Sequence, residues 1–187
     1  MARKRNDLLM FDTFRLEGVL FVPDLLEKIA NGEHTSQKEA DYQLPKGIRL
    51  DDELGRAFQI ARAQWREFSR SLERKDAARV TRGYVREFLA DALGYPIPEA
   101  GDGGEPSAFL VPCLEAGSLL PVVVAPHTLD LDEPDARFAG EGLGHRRKSA
   151  CQFAQEFLNA REGFLWALVT NGRNIRLVRD NASLTRP

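Results

Sequence analysis

The stretch "FLWALVTNGRNIRLVRDN", residues 164–181, joins two β-rich runs through Asn171 and Gly172. An Asn-Gly pair between two such runs is a strong signal for a β-hairpin. Side chains alternate along a strand, which places Ile175, Leu177 and Arg179 on one face and Arg176 and Val178 on the other. We therefore expect a hairpin whose arginines do not form one continuous stripe.

The segments upstream of this hairpin alternate between strands and helices. The runs "AFLVPCLEAG" (108–117) and "SLLPVVVAPH" (118–127) are typical of strands, and "RRKSACQFAQEFLNAR" (146–161) has apolar residues at helical spacing. Three helices are predicted before them, one starting at Pro23 and stopping at Asn31-Gly32, one over 51–75 and one over 77–93.

The predicted helix over 51–75 shows the clearest helical spacing in the chain. Its apolar residues recur every three or four positions and predict a stripe that faces the core: Leu54, Phe58, Ala61, Trp65, Phe68 and Leu72. The next helix has an apolar side of its own, at Val80, Tyr84, Phe88, Leu89 and Leu93.

The order of elements predicts an α/β (α+β) fold, with N-terminal helices packed on a small mixed sheet. Residues 1–95 form the helical region, residues 96–106 are a Pro- and Gly-rich loop or linker, and residues 107–187 form the α/β core. Because the long helix has a wide apolar stripe that must be covered, we favour one compact domain.

Composition limits the possible functions. The chain has 187 residues and a formal charge of −2, so any attraction to nucleic acid must come from a local patch of charge. Cys113 and Cys151 lack metal-ligand spacing and are too few for a disulfide framework. No apolar run approaches the roughly 20 residues that span a bilayer. These features predict a cytoplasmic protein that has no membrane partner.

The α-β-β-α-β order resembles the core of PD-(D/E)XK restriction endonucleases. In such a core, acids on adjacent strands hold Mg²⁺ beside a lysine, because Mg²⁺ prefers oxygen ligands. Here Ala125, Pro126 and His127 stand where acid, any residue and lysine are expected. The resemblance therefore implies a degenerate core with no catalytic residue and no metal.

Two alternative interpretations keep a metal-binding or catalytic role for residues in this region. Glu115, Asp130 and Asp132 are weak candidates for relocated Mg²⁺ ligands, although a solvated acidic loop is the simpler interpretation of residues 130–135. His127 follows a strand near these acids, a placement compatible with a general base, but no serine or cysteine arrangement accompanies it. A structural histidine is the favoured interpretation.

The segment "FAQEFLNAREGFLWALVTNGRNIRLVRDNASLTRP", together with "FVPDLLEKI" near the start, resembles the N-terminal region of large adenine-specific DNA methyltransferases. These belong to type IIG restriction-modification and DISARM-like phage-defence systems. The resemblance implies an S-adenosylmethionine-dependent parent, a downstream methyltransferase domain and other defence-system subunits as partners. It also implies that this chain is a fragment without a cofactor, and it matches Gln155 to the family's helix glutamine, a further position of the degenerate nuclease site.

Two basic groups are candidates for DNA contact. Arg146, Arg147 and Lys148 precede or open a predicted helix, where side chains and backbone amides can converge on one phosphate. Arg173 and Arg176 lie in the hairpin. We expect weak, salt-dependent binding. The alternatives are an active Mg²⁺-dependent endonuclease domain and a protein-protein interaction scaffold.

Overall fold

The computed structural model describes residues 17, 18, 20–73, 76–97, 108–113, 118–139 and 147–180. The chain divides into two compact units, Met1–Gly55 and Arg56–Pro187, and the boundary between them falls inside a helix. The predicted boundaries at residues 95 and 107 remain predictions.

The first unit contains α1, Pro23–Ala30. Pro23 opens the helix, where its missing N–H costs nothing, and Asn31 and Gly32 end it, the glycine at φ +70°. The predicted start and stop of this helix are confirmed.

Helix α2 spans Leu50–Ser71 and ends four positions before the predicted limit at residue 75. Phe68 is buried as expected, but Phe58 and Trp65 are 57% and 42% exposed, and Leu54 is also exposed. The prediction that the whole stripe faces the core is therefore wrong. The contacts at the end of α2 include the stacking of Phe68 on Tyr84 of the following helix, and the exposed Leu54 and Phe58 lie in earlier turns.

Helix α3 spans Ala77–Glu87 and continues as a single π-helical turn, Phe88–Ala92. Asp76 caps its first turn by accepting a hydrogen bond from the Arg79 N–H at 3.0 Å. Leu89 is buried as predicted, whereas Val80, Tyr84 and Phe88 are only partly covered, and the other buried residues here are Thr81, Val85 and Ala92. Leu93, predicted to lie on the apolar side, is 52% exposed. The extra residue of the π turn rotates the end of the helix relative to a regular 3.6-residue period.

The chain continues with two hairpins joined by a helix, as predicted: β1 (Ala108–Pro112), β2 (Leu119–Val124), α4 (Ala150–Ala160), β3 (Trp166–Thr170) and β4 (Ile175–Arg179). A short 3₁₀ helix, Ala136–Phe138, lies between β2 and α4. The strands form one sheet in the order β1-β2-β3-β4. Both hairpins are antiparallel, whereas β2 and β3 are parallel and are connected through α4. The predicted mixed α/β class is confirmed.

The two faces of the sheet carry separate apolar cores. On one face, α4 packs through Ala150, Ala154 and Leu158 against strand residues that include Val123 and Val169. On the other face, Val85 and Leu89 of α3 and its π turn pack on strand residues that include Val122. Successive β2 residues thus point to opposite cores, because side chains alternate along a strand.

The hairpin between β3 and β4 closes through residues 171–174. Asn171 Oδ1 accepts hydrogen bonds from the Arg173 and Asn174 N–H groups, and Gly172 adopts φ +81°. The predicted Asn-Gly turn is confirmed, and the pairing of Leu177 with Leu168 and of Arg179 with Trp166 supports the predicted faces of β4. Within the described ranges, no helix is long and apolar enough to cross a membrane.

Candidate functional site

The carboxyl end of β2 leads to two of the positions that the resemblance assigns to a degenerate nuclease site, Ala125 and His127. Ala125 is 1% exposed, donates its N–H to Thr170 O at 2.8 Å and belongs to the apolar core on the α4 side. A carboxylate at this position would lie among apolar side chains. Nothing at position 125 can ligate a metal, because alanine has no side-chain donor atom.

His127 is a buried side chain with hydrogen bonds in three directions. Its Nε2 lies 3.0 Å from Leu72 O, its Nδ1 lies 3.1 Å from Thr81 Oγ1, and its backbone N–H donates to the same hydroxyl at 2.8 Å. A carbonyl can only accept, so Nε2 carries a hydrogen, and in the neutral ring the Thr81 hydroxyl donates to Nδ1. The ring also meets the edge of Phe68, with centroids 5.8 Å apart. The geometry fits the structural interpretation of His127.

Thr81 is the centre of this network. It is fully buried on α3, and its Oγ1 lies 2.8 Å from Ala77 O as well as within reach of His127. The single hydroxyl proton is therefore shared between the Ala77 carbonyl and Nδ1 of His127. We refer to His127, Thr81 and the Leu72 carbonyl as the histidine network.

Gln155 lies far along the sheet from Ala125 and His127. Its Nε2 donates to Arg179 O at 3.2 Å, and Arg179 pairs with Trp166 at the start of β3. Ala125 instead bonds to Thr170, the last residue of β3. The structure therefore places Gln155 and Ala125 near opposite ends of β3, not together as the resemblance implies.

The acidic segment 130–135 follows the histidine and folds on itself. Asp130 Oδ1 accepts the Asp132 N–H at 2.9 Å, and Asp135 Oδ1 accepts the Arg137 N–H at 2.9 Å. In the described part of the chain, no three His, Cys, Asp or Glu side chains converge as a metal site requires. Asp130 and Asp132 are thus engaged in local contacts, and Glu115 lies outside the described residues.

Asp132, Arg176 and Cys151 form a cluster that sequence reasoning did not identify. One Arg176 guanidinium nitrogen, Nη1, lies 2.7 Å from Asp132 Oδ1 and 3.0 Å from Cys151 Sγ. The hydrogen bond between Arg176 and Asp132 lowers the pKa of the Asp132 carboxyl and raises the pKa of Arg176. Burial is the main cause of the raised pKa of the Cys151 thiol. The three residues are separated by 19 to 44 positions, so no local motif announces the cluster.

Each of the two predicted basic groups has a member that contacts the acidic segment. The backbone of Lys148 pairs with that of Asp135, while the Asn171 side chain donates to Leu129 O at 2.8 Å. Lys148 forms an ion pair with Glu156, and Arg176 forms one with Asp132. Arg147 and Arg173 are exposed and have no ion pair with a described residue, and Arg146 lies outside the described residues.

The N-terminal amides of α4 are already used by the protein. Ser149 Oγ accepts the Gln152 N–H and Gln152 Oε1 accepts the Ser149 N–H, both at 3.1 Å, and the Cys151 N–H donates to Leu131 O at 3.2 Å. A phosphate at this end would therefore be bound by basic side chains rather than by these amides.

No protein-family model, no curated protein and no solved structure matches this chain.

Proposed function

We propose that this chain is a non-catalytic, nuclease-like domain that engages DNA or assembles partners for an adenine-specific methyltransferase of restriction-modification or phage-defence type. The hairpin of β1 and β2, followed by the α4 crossover to a parallel β3, is compatible with the degenerate core implied by the resemblance. The parent protein would use S-adenosylmethionine. The free thiols Cys113 and Cys151 fit a reducing, cytoplasmic setting.

The observation that carries the non-catalytic part of the proposal is the carboxyl end of β2. Ala125 offers no ligand atom there, and both ring nitrogens of His127 have protein partners. A metal-dependent nuclease needs carboxylates and a cation at this position to hold Mg²⁺ and orient water. This strand end is therefore better suited to stabilise the fold than to hydrolyse a phosphodiester.

The DNA-binding part of the proposal rests on Arg147 and Arg173. Both are exposed, and they belong to the two basic groups that border the acidic segment. Arg176 and Lys148 already have acidic partners and would have to exchange them for phosphates. Two phosphate contacts imply that affinity falls about tenfold between roughly 50 and 200 mM salt.

This proposal is tested by fluorescence polarisation with a labelled DNA duplex over a series of salt concentrations. We expect weak binding that salt suppresses and that the double variant Arg147→Glu/Arg173→Glu abolishes. Arg62→Glu, which reverses an exposed arginine on α2, is the matched control and should retain binding. Equal retention by both variants would remove these two arginines from the proposed DNA surface.

Catalysis is tested separately with supercoiled plasmid and Mg²⁺ or Mn²⁺. We expect the plasmid to remain intact at high protein concentration. Nicking that is lost in Asp130→Ala would overturn the proposal in favour of an active endonuclease.

The assignment of the parent protein is tested by reading the gene beyond codon 187, where we expect an Asn/Asp-Pro-Pro-aromatic methyltransferase motif. A stop codon would contradict it.

A further inference from the structure

One face of α2 carries exposed apolar side chains over about three helical turns. Leu54 and Phe58 are more than half exposed. Trp65 contacts Phe68 and Tyr84, yet 42% of its surface is exposed. Phe68 itself is buried, with its ring stacked on Tyr84 of α3. The stripe therefore passes from an exposed end to a buried one along a single continuous helix.

The spacing of this stripe is typical of a helix that pairs with another helix. Its apolar positions follow one another at alternating steps of four and three residues: Leu54, Phe58, Ala61, Trp65 and Phe68. This is the heptad pattern of coiled coils, in which the apolar positions of two helices interlock. Two heptads are too few for an independent coiled coil, so the pairing would add to a domain that is already folded.

The order of side-chain sizes fits a second copy of the same helix in the opposite direction. A two-fold axis midway between positions 58 and 61 places Phe58 of one copy opposite Ala61 of the other. The same axis places Leu54 opposite Trp65. Each aromatic ring thus faces a smaller side chain, whereas a parallel pair would place Phe58 against Phe58 and Trp65 against Trp65.

The charges of α2 favour the same antiparallel arrangement. Its first turn is acidic, with Asp51, Asp52 and Glu53, and Arg66 lies on the same flank of the stripe as Asp51, about 60° away around the helix. Reversal places Arg66 of one copy level with Glu53 of the other and within two residues of Asp51. Asp51 contacts Arg49 at 3.3 Å, but both side chains are mostly exposed and water screens the pair. A parallel pair would instead bring the two acidic first turns together.

We propose that α2 binds a second copy of this chain, through an antiparallel pairing of residues 54–65 about a two-fold axis. The contact covers about 17 Å of helix in each copy. It lies at the small end of the roughly 1,200–2,000 Å² that stable interfaces bury, so we expect a weak dimer that dissociates on dilution. The pairing does not depend on the proposed DNA surface, because it shares no residue with it.

The dimer is tested by sedimentation velocity over a series of protein concentrations. We expect the natural chain to pass from monomer to dimer as its concentration rises. Phe58→Glu places a carboxylate at the centre of the contact and should raise the dissociation constant about tenfold or more. Ala63→Glu introduces the same charge at an exposed position about 140° around α2 from Phe58, and it should dimerise as the natural chain does.

The direction of the pairing is tested with two charge reversals at exposed positions, Asp51→Arg and Arg66→Asp. Each variant alone should dimerise less than the natural chain, because like charges then face each other. An equimolar mixture of the two should recover the dimer, since positions 51 and 66 of the two copies again carry opposite charges. A parallel pair would not show this recovery.

Three results would overturn the proposal. The first is a monomer at every concentration up to about 1 mM, as expected if another segment of the chain or a different partner covers the face. The second is equal dimerisation of Phe58→Glu and Ala63→Glu. The third is a mixture of the charge-reversal variants that dimerises no better than its components.

Discussion

Two polar groups flank the carboxyl ends of β2 and β3, one on each side of the sheet. On the α3 side, the histidine network is buried, with Thr81 fully covered and His127 only 7% exposed. On the α4 side, the cluster of Asp132, Arg176 and Cys151 is ionic, and its charged side chains are about half exposed or more. The same strand ends thus support one buried network and one charged, solvated cluster.

The difference shows how burial decides what a polar contact contributes. Removing one partner from a buried network leaves a donor or acceptor that water cannot reach, which costs about 1–3 kcal/mol per group. An exposed ion pair competes with water and salt and contributes about 0–1 kcal/mol. The shorter contact, between Asp132 and Arg176, is therefore expected to matter less for stability than the longer ones at His127.

The largest effect is expected from Thr81→Val. This change keeps the shape of the side chain but removes the hydroxyl that accepts the His127 N–H and contacts Nδ1. We expect a loss of about 2–4 kcal/mol in the free energy of unfolding. Urea denaturation measures it, and Thr81→Ser, which keeps the hydroxyl, should lose clearly less. Equal losses in the two variants would show that packing, not hydrogen bonding, explains the position.

A smaller loss, of about 1–2 kcal/mol in the free energy of unfolding, is expected from Gly172→Ala, next to the histidine network. The new Cβ would lie 2.8 Å from Phe68 Cζ, at a residue with φ +81°. Gly163→Ala is the control, because Gly163 has φ +90° but nothing within 4 Å of a Cβ. The difference between the two melting temperatures measures the contact with Phe68. If the two melting temperatures fall equally, backbone conformation alone accounts for the loss of stability.

The smallest change in stability, below about 1 kcal/mol, is expected from Asp132→Asn in the exposed cluster. Its effect on Cys151 should be easier to detect, because the Asp132 carboxylate raises the pKa of that thiol while Arg176 lowers it. In a Cys113→Ser background, iodoacetamide should modify Cys151 faster in Asp132→Asn and slower in Arg176→Met. The same direction of change in both variants would contradict the opposing roles of the two charges.

Elements with a strong local pattern could be predicted from the sequence. The hairpin around Asn171 and Gly172 follows from turn chemistry between two alternating runs, and α4 follows from its apolar spacing. The exposure of Phe58 and Trp65 could not be predicted in this way. Their spacing is that of a buried stripe, and only the position of α3 decides which turns of α2 are covered.

The candidate sites show the same contrast between local sequence patterns and long-range contacts. The sequence by itself determined the order of strands and helices and placed Ala125 and His127 at a strand end without the residues of a nuclease, because identity and spacing are local properties. Only the tertiary structure decided that His127 bonds to Thr81 and Leu72 and that Asp132 pairs with Arg176. These contacts join residues far apart in the chain, and they form only where the packing of helices on the sheet brings their side chains together.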